Sequence, residues 1–288
     1  MEIKDFPCNH SNSNGINEDI TKNLELSFPE AYTDAKQLAT LSVALKEYDN
    51  GALCQLPLDN ALEADALGAI LNLGDGAAGP RAKEYILTTI EDALNLPAID
   101  FTKGRIAATL EAAEILISQG EQVCIMLNGP IGALSCMIDA GKVFKALRKN
   151  RELMKEILWK IGREEFRFID EAIARGVTIF NWEDPTAAVN IIGPKLAENL
   201  VEDFTYPYVK ELVAYTKGRA ILHLCPKTSF ALLGTDNAEP NNIDLPEAMS
   251  YGQAVCYMNG KCDLCGLNCL KDTQLFLGNC KFKELVLK

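Results

Sequence analysis

No run of about 18 apolar residues occurs in the 288-residue chain, so no segment is long and apolar enough to span a bilayer as a helix. The opening MEIKDFPCNHSNSNG lacks the basic-then-apolar order of a secretory signal, which points to the cytoplasm. Basic charge is scarce. Lys and Arg number 28 against 40 Asp and Glu, a net of −12, and no basic stripe offsets it, which argues against nucleic acid as a partner. Also missing are a GxGxxG turn after any strand, tandem repeats, low-complexity tracts and a dividing linker. A dinucleotide-binding open sheet is thereby disfavoured. One domain over 1–288 is expected, with 1–30 as a polar extension that is partly loop, SNSNG at 11–15 above all.

Hydrophobic residues make up 48% and charged residues 24%, the balance of a folded globular protein with a large core. Short apolar runs at Leu53–Leu58, Ala69–Leu73, Val123–Leu127, Val177–Asn181 and Ala220–Cys225 read as strands. Between and around them, helical spacing covers Tyr32–Tyr48, Ala61–Gly68, Arg81–Leu94, Arg105–Gln119, Ala133–Leu147, Glu152–Arg175 and Glu198–Thr216. Asp236–Asp244, DNAEPNNID, reads as a loop. Sustained strand–helix alternation predicts an α/β fold with a parallel sheet, most economically a (β/α)8 TIM barrel whose functional residues lie at the C-terminal ends of strands.

Ten cysteines without an export signal are expected to be reduced thiols, which makes metal binding the hypothesis to test. Six of them, Cys225, Cys256, Cys262, Cys265, Cys269 and Cys280, crowd the C-terminal part. His223 and Cys225 close an apolar run two residues apart, so in an extended strand they project to the same side. Two such donors at a barrel strand end can grip zinc, with a third from elsewhere; a buried, hydrogen-bonded His beside a buried Cys would read the same. Cys262-Asp263-Leu264-Cys265-Gly266-Leu267-Asn268-Cys269 supplies candidates for the third ligand. Leu264-Cys265 followed by Gly266 reads as a strand turning at glycine to deliver Cys269, with Cys265 and Cys280 as competitors. Three protein ligands leave zinc an open position, the mark of a catalytic site, whereas a fourth Cys would make it structural. An open, thiolate-rich zinc suits thiol activation and methyl or alkyl transfer.

Trp182-Glu183-Asp184-Pro185 follows the Val177–Asn181 strand, which puts one or both carboxylates at the same mouth; a helix start favours acidic residues and Pro equally. Asn128-Gly129-Pro130 reads as a strand-end turn that lets a ligand approach, and Glu63 and Asp65 sit near the first strand's exit, where an exposed helix start would look alike. Glu183 and Asp184 are thus the candidate catalytic acids, and Glu63, Asn128 and Trp182 the candidate substrate-binding residues.

In order along the chain, LPLDNALEADALGA at 56–69, LNGPIGALSCMID at 127–139, WEDPTAAVNIIGPK at 182–195, TYPYVKEL at 205–212 and ILHLC at 221–225 resemble the uroporphyrinogen decarboxylase superfamily, within it the zinc- and corrinoid-dependent methyltransferases. The resemblance implies a TIM barrel with zinc on His223, Cys225 and Cys269. It also implies a methylcobalamin-type corrinoid on a separate carrier protein, and methyl transfer between its cobalt and a small thiol acceptor or methylated donor. The decarboxylase branch uses an arginine-rich RQAGR-type segment near the N-terminus, whereas the first arginine here is Arg81. A tetrapyrrole decarboxylase and a non-catalytic zinc- or corrinoid-binding accessory protein remain the rival readings. The chain is shorter than typical relatives and least similar after Cys225, so a compressed C-terminal part is expected.

Overall fold

The apolar runs become strands because every residue in three of them is covered on both faces, as a parallel sheet between helices requires. The computed structural model describes residues 3, 5–8, 16–22 and 24–288, so the loop expected at 11–15 lies outside the described residues. In chain order the strands are β1 (Cys54–Leu56), β2 (Ile70–Asn72), β3 (Arg81–Glu84), β4 (Val123–Asn128), β5 (Ile179–Glu183), β6 (Ile221–Leu224), β7 (Ala238–Asp244), β8 (Leu264–Cys265) and β9 (Lys281–Leu287).

The main sheet runs β1-β4-β5-β6-β8-β9-β7, with β2 and β3 pairing apart from it. Neighbours from β1 to β8 are parallel, and Asn181 of β5 stands opposite His223 of β6. β9 then runs antiparallel to β8 and β7 antiparallel to β9. The architecture is thus the expected α/β one with a compressed C-terminal part: five parallel strands followed by an antiparallel ribbon, with no eight-strand closure among the described residues.

Long helices occupy the crossovers, Gly104–Ser118 before β4, Arg151–Ala174 before β5 and Tyr206–Thr216 before β6. None is long and apolar enough to cross a membrane among the described residues. Period-two alternation divides the buried side chains into two cores. Ile125, Leu127, Phe180, Trp182, Leu222 and Leu224 face the helices, whereas Cys124, Met126, Ile179 and Ile221 face inward with Tyr251, Cys265 and Phe282. By the same alternation Asn181, Glu183 and His223 lie on the inner face.

Three expectations fail, each for a local reason. The helix expected over Ala133–Leu147 is two helices, Pro130–Ser135 and Ala140–Lys149, the second capped by Asp139, whose side chain accepts from the Lys142 amide. The helix expected over Arg81–Leu94 is instead β3 followed by a 3-10 turn at Glu91–Asn95. The preceding glycine-rich turn folds the chain back on β2. Gly74 adopts φ +71, and a Cβ there would lie 1.7 Å from the Ala78 carbonyl oxygen. Asp75 Oδ1 accepts from the amides of Ala77 and Ala78. Asp236–Asp244, expected as a loop, contains β7, paired to β9 over seven residues. Its polar composition is that of an exposed edge strand, where Pro240 is tolerated.

Candidate functional site

A cavity of about 580 Å³ opens beside the C-terminal ends of β1 and β5, with Gln55, Asp59, Asn60, Met126, Glu183 and Lys271 in its wall. His223 is fully buried on the inner face of β6. Its Nδ1 donates to Asn181 Oδ1 at 2.6 Å, the cross-strand partner that parallel register places opposite it. Burial pushes the imidazole down to about 3, so it is neutral at physiological pH. With the proton on Nδ1, Nε2 keeps a lone pair, which accepts from the Tyr251 hydroxyl at 3.1 Å. The Asn268 carbonyl oxygen also sits 3.0 Å from Nε2, an acceptor beside an acceptor, and that contact is weak as a hydrogen bond.

Cys225 follows β6 and begins the helix Pro226–Gly234, its amide bonded to the Trp182 carbonyl at 2.9 Å. Burial, then the nearby charge of Glu183, pushes its thiol up to about 12, with Cys269 and Cys8 also within electrostatic reach. Burial likewise raises Cys269, against which the Lys271 amide and ammonium act. Delivery of Cys269 depends on Gly266, which has φ +133 and packs on β6 so closely that a Cβ would lie 2.2 Å from the Leu224 carbonyl oxygen. Of the competing cysteines, Cys265 lies opposite His223 with its thiol buried against Tyr251, and Cys280 occupies a positive-φ turn ahead of β9.

The sulfurs of Cys225 and Cys269 therefore share one neighbourhood with Glu183, and His223 reaches it through the carbonyl next to Cys269. Among the described residues, no three His, Cys, Asp or Glu side chains are arranged to hold a metal ion. In kind, a neutral imidazole and two thiols are donors that a thiophilic divalent ion takes, while Nε2 in this arrangement accepts from the Tyr251 hydroxyl.

The remaining candidates divide. Glu183, 8% exposed, lines the cavity, and Asn181 Nδ2 lies 3.5 Å from its Oε2. Asp184 instead accepts from the amides of Ile131 and Gly132, both at 2.9 Å, and so caps the helix Pro130–Ser135. Burial pushes its carboxyl up to about 7 against those two amides. Trp182 points to the helix side, where its indole N–H donates to Glu165 Oε2 at 2.7 Å and its ring packs on Tyr208; strand alternation takes it away from the mouth. Glu63 is buried, its Oε1 accepting from the Asn128 amide at 2.9 Å while Oε2 has no hydrogen-bond partner. Asn128 Nδ2 donates to the Asn60 carbonyl at 2.7 Å and leaves Oδ1 unpaired.

Sequence reasoning missed Asn181, Tyr251 and Asn268, the residues around the imidazole. Asn181 carried a faint signal, since it lies two residues before Glu183 on the same strand face. It also missed Asp59 and Arg105, a buried ion pair in which Arg105 Nε additionally donates to the Tyr32 carbonyl at 3.2 Å.

Comparison with known proteins agrees with this frame. The sequence model of the family described as uroporphyrinogen decarboxylase (URO-D) matches residues 7–269. Methylcobamide:CoM methyltransferase MtbA of Methanosarcina acetivorans is 25% identical over 79% of this chain and 67% of its own length. MtbA of Methanosarcina mazei is 24% identical over the same shares. Methylcobamide:CoM methyltransferase MtaA of Methanosarcina barkeri is 23% identical over 72% of this chain and 60% of its own length. A solved structure, a methyltransferase from Methanosarcina mazei, superposes with a TM-score of 0.64 at 16% identity, covering 78% of this chain and 70% of the other. The chain belongs to the uroporphyrinogen decarboxylase (URO-D) family, in its methyltransferase branch.

Proposed function

We propose that the chain transfers a methyl group between a corrinoid held by a separate carrier protein and a small thiol or methylated substrate bound in the cavity, with zinc on His223, Cys225 and Cys269. What supports this reading is the electrostatic influence of Glu183 on both Cys225 and Cys269, with the fixed imidazole of His223 two residues before Cys225. The relatives' names, methylcobamide:CoM methyltransferases, support the corrinoid and a thiol acceptor. Zinc held there would act as a Lewis acid that keeps a sulfur ligand in its thiolate form at neutral pH.

The chain's own groups do the rest. Asn181 holds the imidazole in the tautomer that leaves Nε2 as the donor atom. Glu183, at the cavity wall and in reach of both thiols, takes the proton that leaves an acceptor thiol, while the methyl group passes from cobalt to that sulfur with both bonding electrons remaining on cobalt. Asp184 is already spent on two amides and serves to fix the β5 exit. A decarboxylase would need arginines aimed at substrate carboxylates. Arg105, the arginine beneath Asp59, is buried and ion-paired instead.

The test is metal analysis combined with methyl transfer from methylcobalamin to a small thiol. Wild type is expected to hold about one zinc per chain, and His223→Ala to lose metal affinity and transfer rate by about 100-fold or more. An unchanged zinc content in His223→Ala overturns the ligand assignment. Transfer that proceeds without any corrinoid overturns the proposed partner.

A further inference from the structure

The polar N-terminal extension supplies one side of the cavity at the strand ends. Ile16, Asn17 and Ile20 stand in its wall, beside Leu45 and Tyr48 of the helix Ala35–Tyr48. This side is weakly built. The helix Glu18–Thr21 is four residues long and none of residues 16–22 is buried, so it lacks both the length and the core contacts that hold a helix in place. Among the described residues, two hydrogen bonds tie 16–22 to the rest of the fold. The Ile16 amide donates to the Gly76 carbonyl at 2.7 Å, and Asn17 Nδ2 donates to the Tyr48 hydroxyl at 2.8 Å. Asn17 Oδ1 meanwhile accepts from the Asp19 amide at 3.0 Å, so one side chain both starts the short helix and fastens it. Tyr48 is 51% exposed, which leaves that fastening open to water. Segments with so few buried contacts are those whose local opening costs least.

We propose that residues 16–22 are a lid on the substrate cavity, latched by the Asn17–Tyr48 hydrogen bond, and that its two isoleucines select substrates with an apolar body. The inference rests on the proposed binding of the methyl-transfer substrate in this cavity, and it names the class of that substrate. Ile16, Ile20 and Leu45 line the cavity with hydrocarbon, whereas Gln55, Asn60 and Glu183 line it with polar groups. A substrate that satisfies both presents its reacting heteroatom to the strand ends, where Glu183 lies, and an alkyl or aryl body to the lid. A volume of about 580 Å³ suits a ring-bearing molecule better than a two-carbon thiol. Ile16 and Ile20 are half-buried, and a substrate body laid against them supplies the apolar contact that the lid lacks, so binding itself favours the closed arrangement. Closure keeps water from Glu183 while the methyl group moves, and opening releases the product.

Hydrogen–deuterium exchange of the full chain reads the lid directly, with phenylmethanethiol and 2-mercaptoethanol as probes. Saturating phenylmethanethiol is expected to slow exchange in residues 16–22 about tenfold, and 2-mercaptoethanol to slow it about twofold at most. Tyr48→Phe removes the acceptor of the latch at an exposed position. Without thiol it should speed exchange in residues 16–22 about threefold and leave the central strands unchanged. Methyl transfer from methylcobalamin supplies the second readout. Ile20→Ala should lower the preference for phenylmethanethiol over 2-mercaptoethanol, taken as the ratio of their kcat/KM values, about tenfold. Exchange in residues 16–22 that ignores both phenylmethanethiol and Tyr48→Phe overturns the lid. An unchanged preference in Ile20→Ala overturns the selection of an apolar body, and both results leave the methyl-transfer reading standing. A lid that responds to phenylmethanethiol in a chain that transfers methyl to neither thiol overturns that reading instead and leaves the lid.

Discussion

The two faces of β5 carry polar groups of opposite character. Toward the helices, Trp182 donates to Glu165, Tyr208 donates to the same Glu165 oxygen at 2.6 Å, and Asp184 at the strand exit accepts two amides. These groups bond to one another and to backbone, so they fix where β5 ends relative to the helix Pro130–Ser135. Toward the interior, Asn181 holds His223 while Glu183 lines the cavity within electrostatic reach of Cys225 and Cys269. Here partners are fewer and looser: an acceptor faces an acceptor at Nε2, and thiols stand beside a carboxylate. The difference separates residues that build the mouth from residues with donor capacity to spare for a ligand. Spacing along the sequence treats Glu183 and Asp184 alike; the faces do not.

The strongest way to break this contrast is Gly266→Ala, because Gly266 serves both sides. It holds β8 against the β6 backbone and carries the chain on to Asn268 and Cys269. A Cβ at φ +133 against Leu224 is expected to cost about 2–4 kcal/mol in urea unfolding. Metal affinity should fall with it; a variant of full stability and full metal binding would show that the bend is dispensable.

Asp184→Ala probes the helix-facing side alone. Stripping the acceptor from the Ile131 and Gly132 amides should cost about 2 kcal/mol, with transfer activity per folded molecule kept. Activity lost without loss of stability would move Asp184 to the chemical side of the comparison.

A third effect concerns Glu63, whose carboxyl is pushed up from 4.5 to about 8, first by burial and then by the charges of Asp59 and Glu183. Glu165 stands within electrostatic reach as a further buried carboxyl. The folded chain therefore keeps a proton that the unfolded chain releases above pH 4.5, and Glu63 contributes stability at low pH that is lost as pH rises toward about 8. Thermal unfolding should show this decline in wild type and a shallower one in Glu63→Gln. An unchanged slope would mean that Glu63 titrates like a solvated acid.

Much of the site's chemistry was legible because it depends on period-two geometry. The spacing brings His223 to the inner face of β6, with Cys225 just past the strand at the start of the next helix, and Gly266 marks a bend in any fold that must pass close to another backbone. Asn181 was not legible as the partner of His223, since only the register of β5 against β6 sets the two side by side. The edge strand β7 was hidden for a related reason: with one face in water, DNAEPNNID shows no apolar pattern, and its pairing partner β9 lies near the chain's other end. Trp182 was misplaced because a strand end looks like a mouth until the alternation is counted from a known inner residue such as Ile179.

By itself the sequence determined the parallel strands, their intervening helices, the paired His and Cys, and the family, since local periodicity and short motifs are properties of neighbouring residues. Tertiary structure alone decided which carboxylate lies within electrostatic reach of the sulfurs, and that five parallel strands give way to an antiparallel ribbon. Those outcomes depend on register and on which surfaces pack together, and such long-range contacts are set by burial of the whole core.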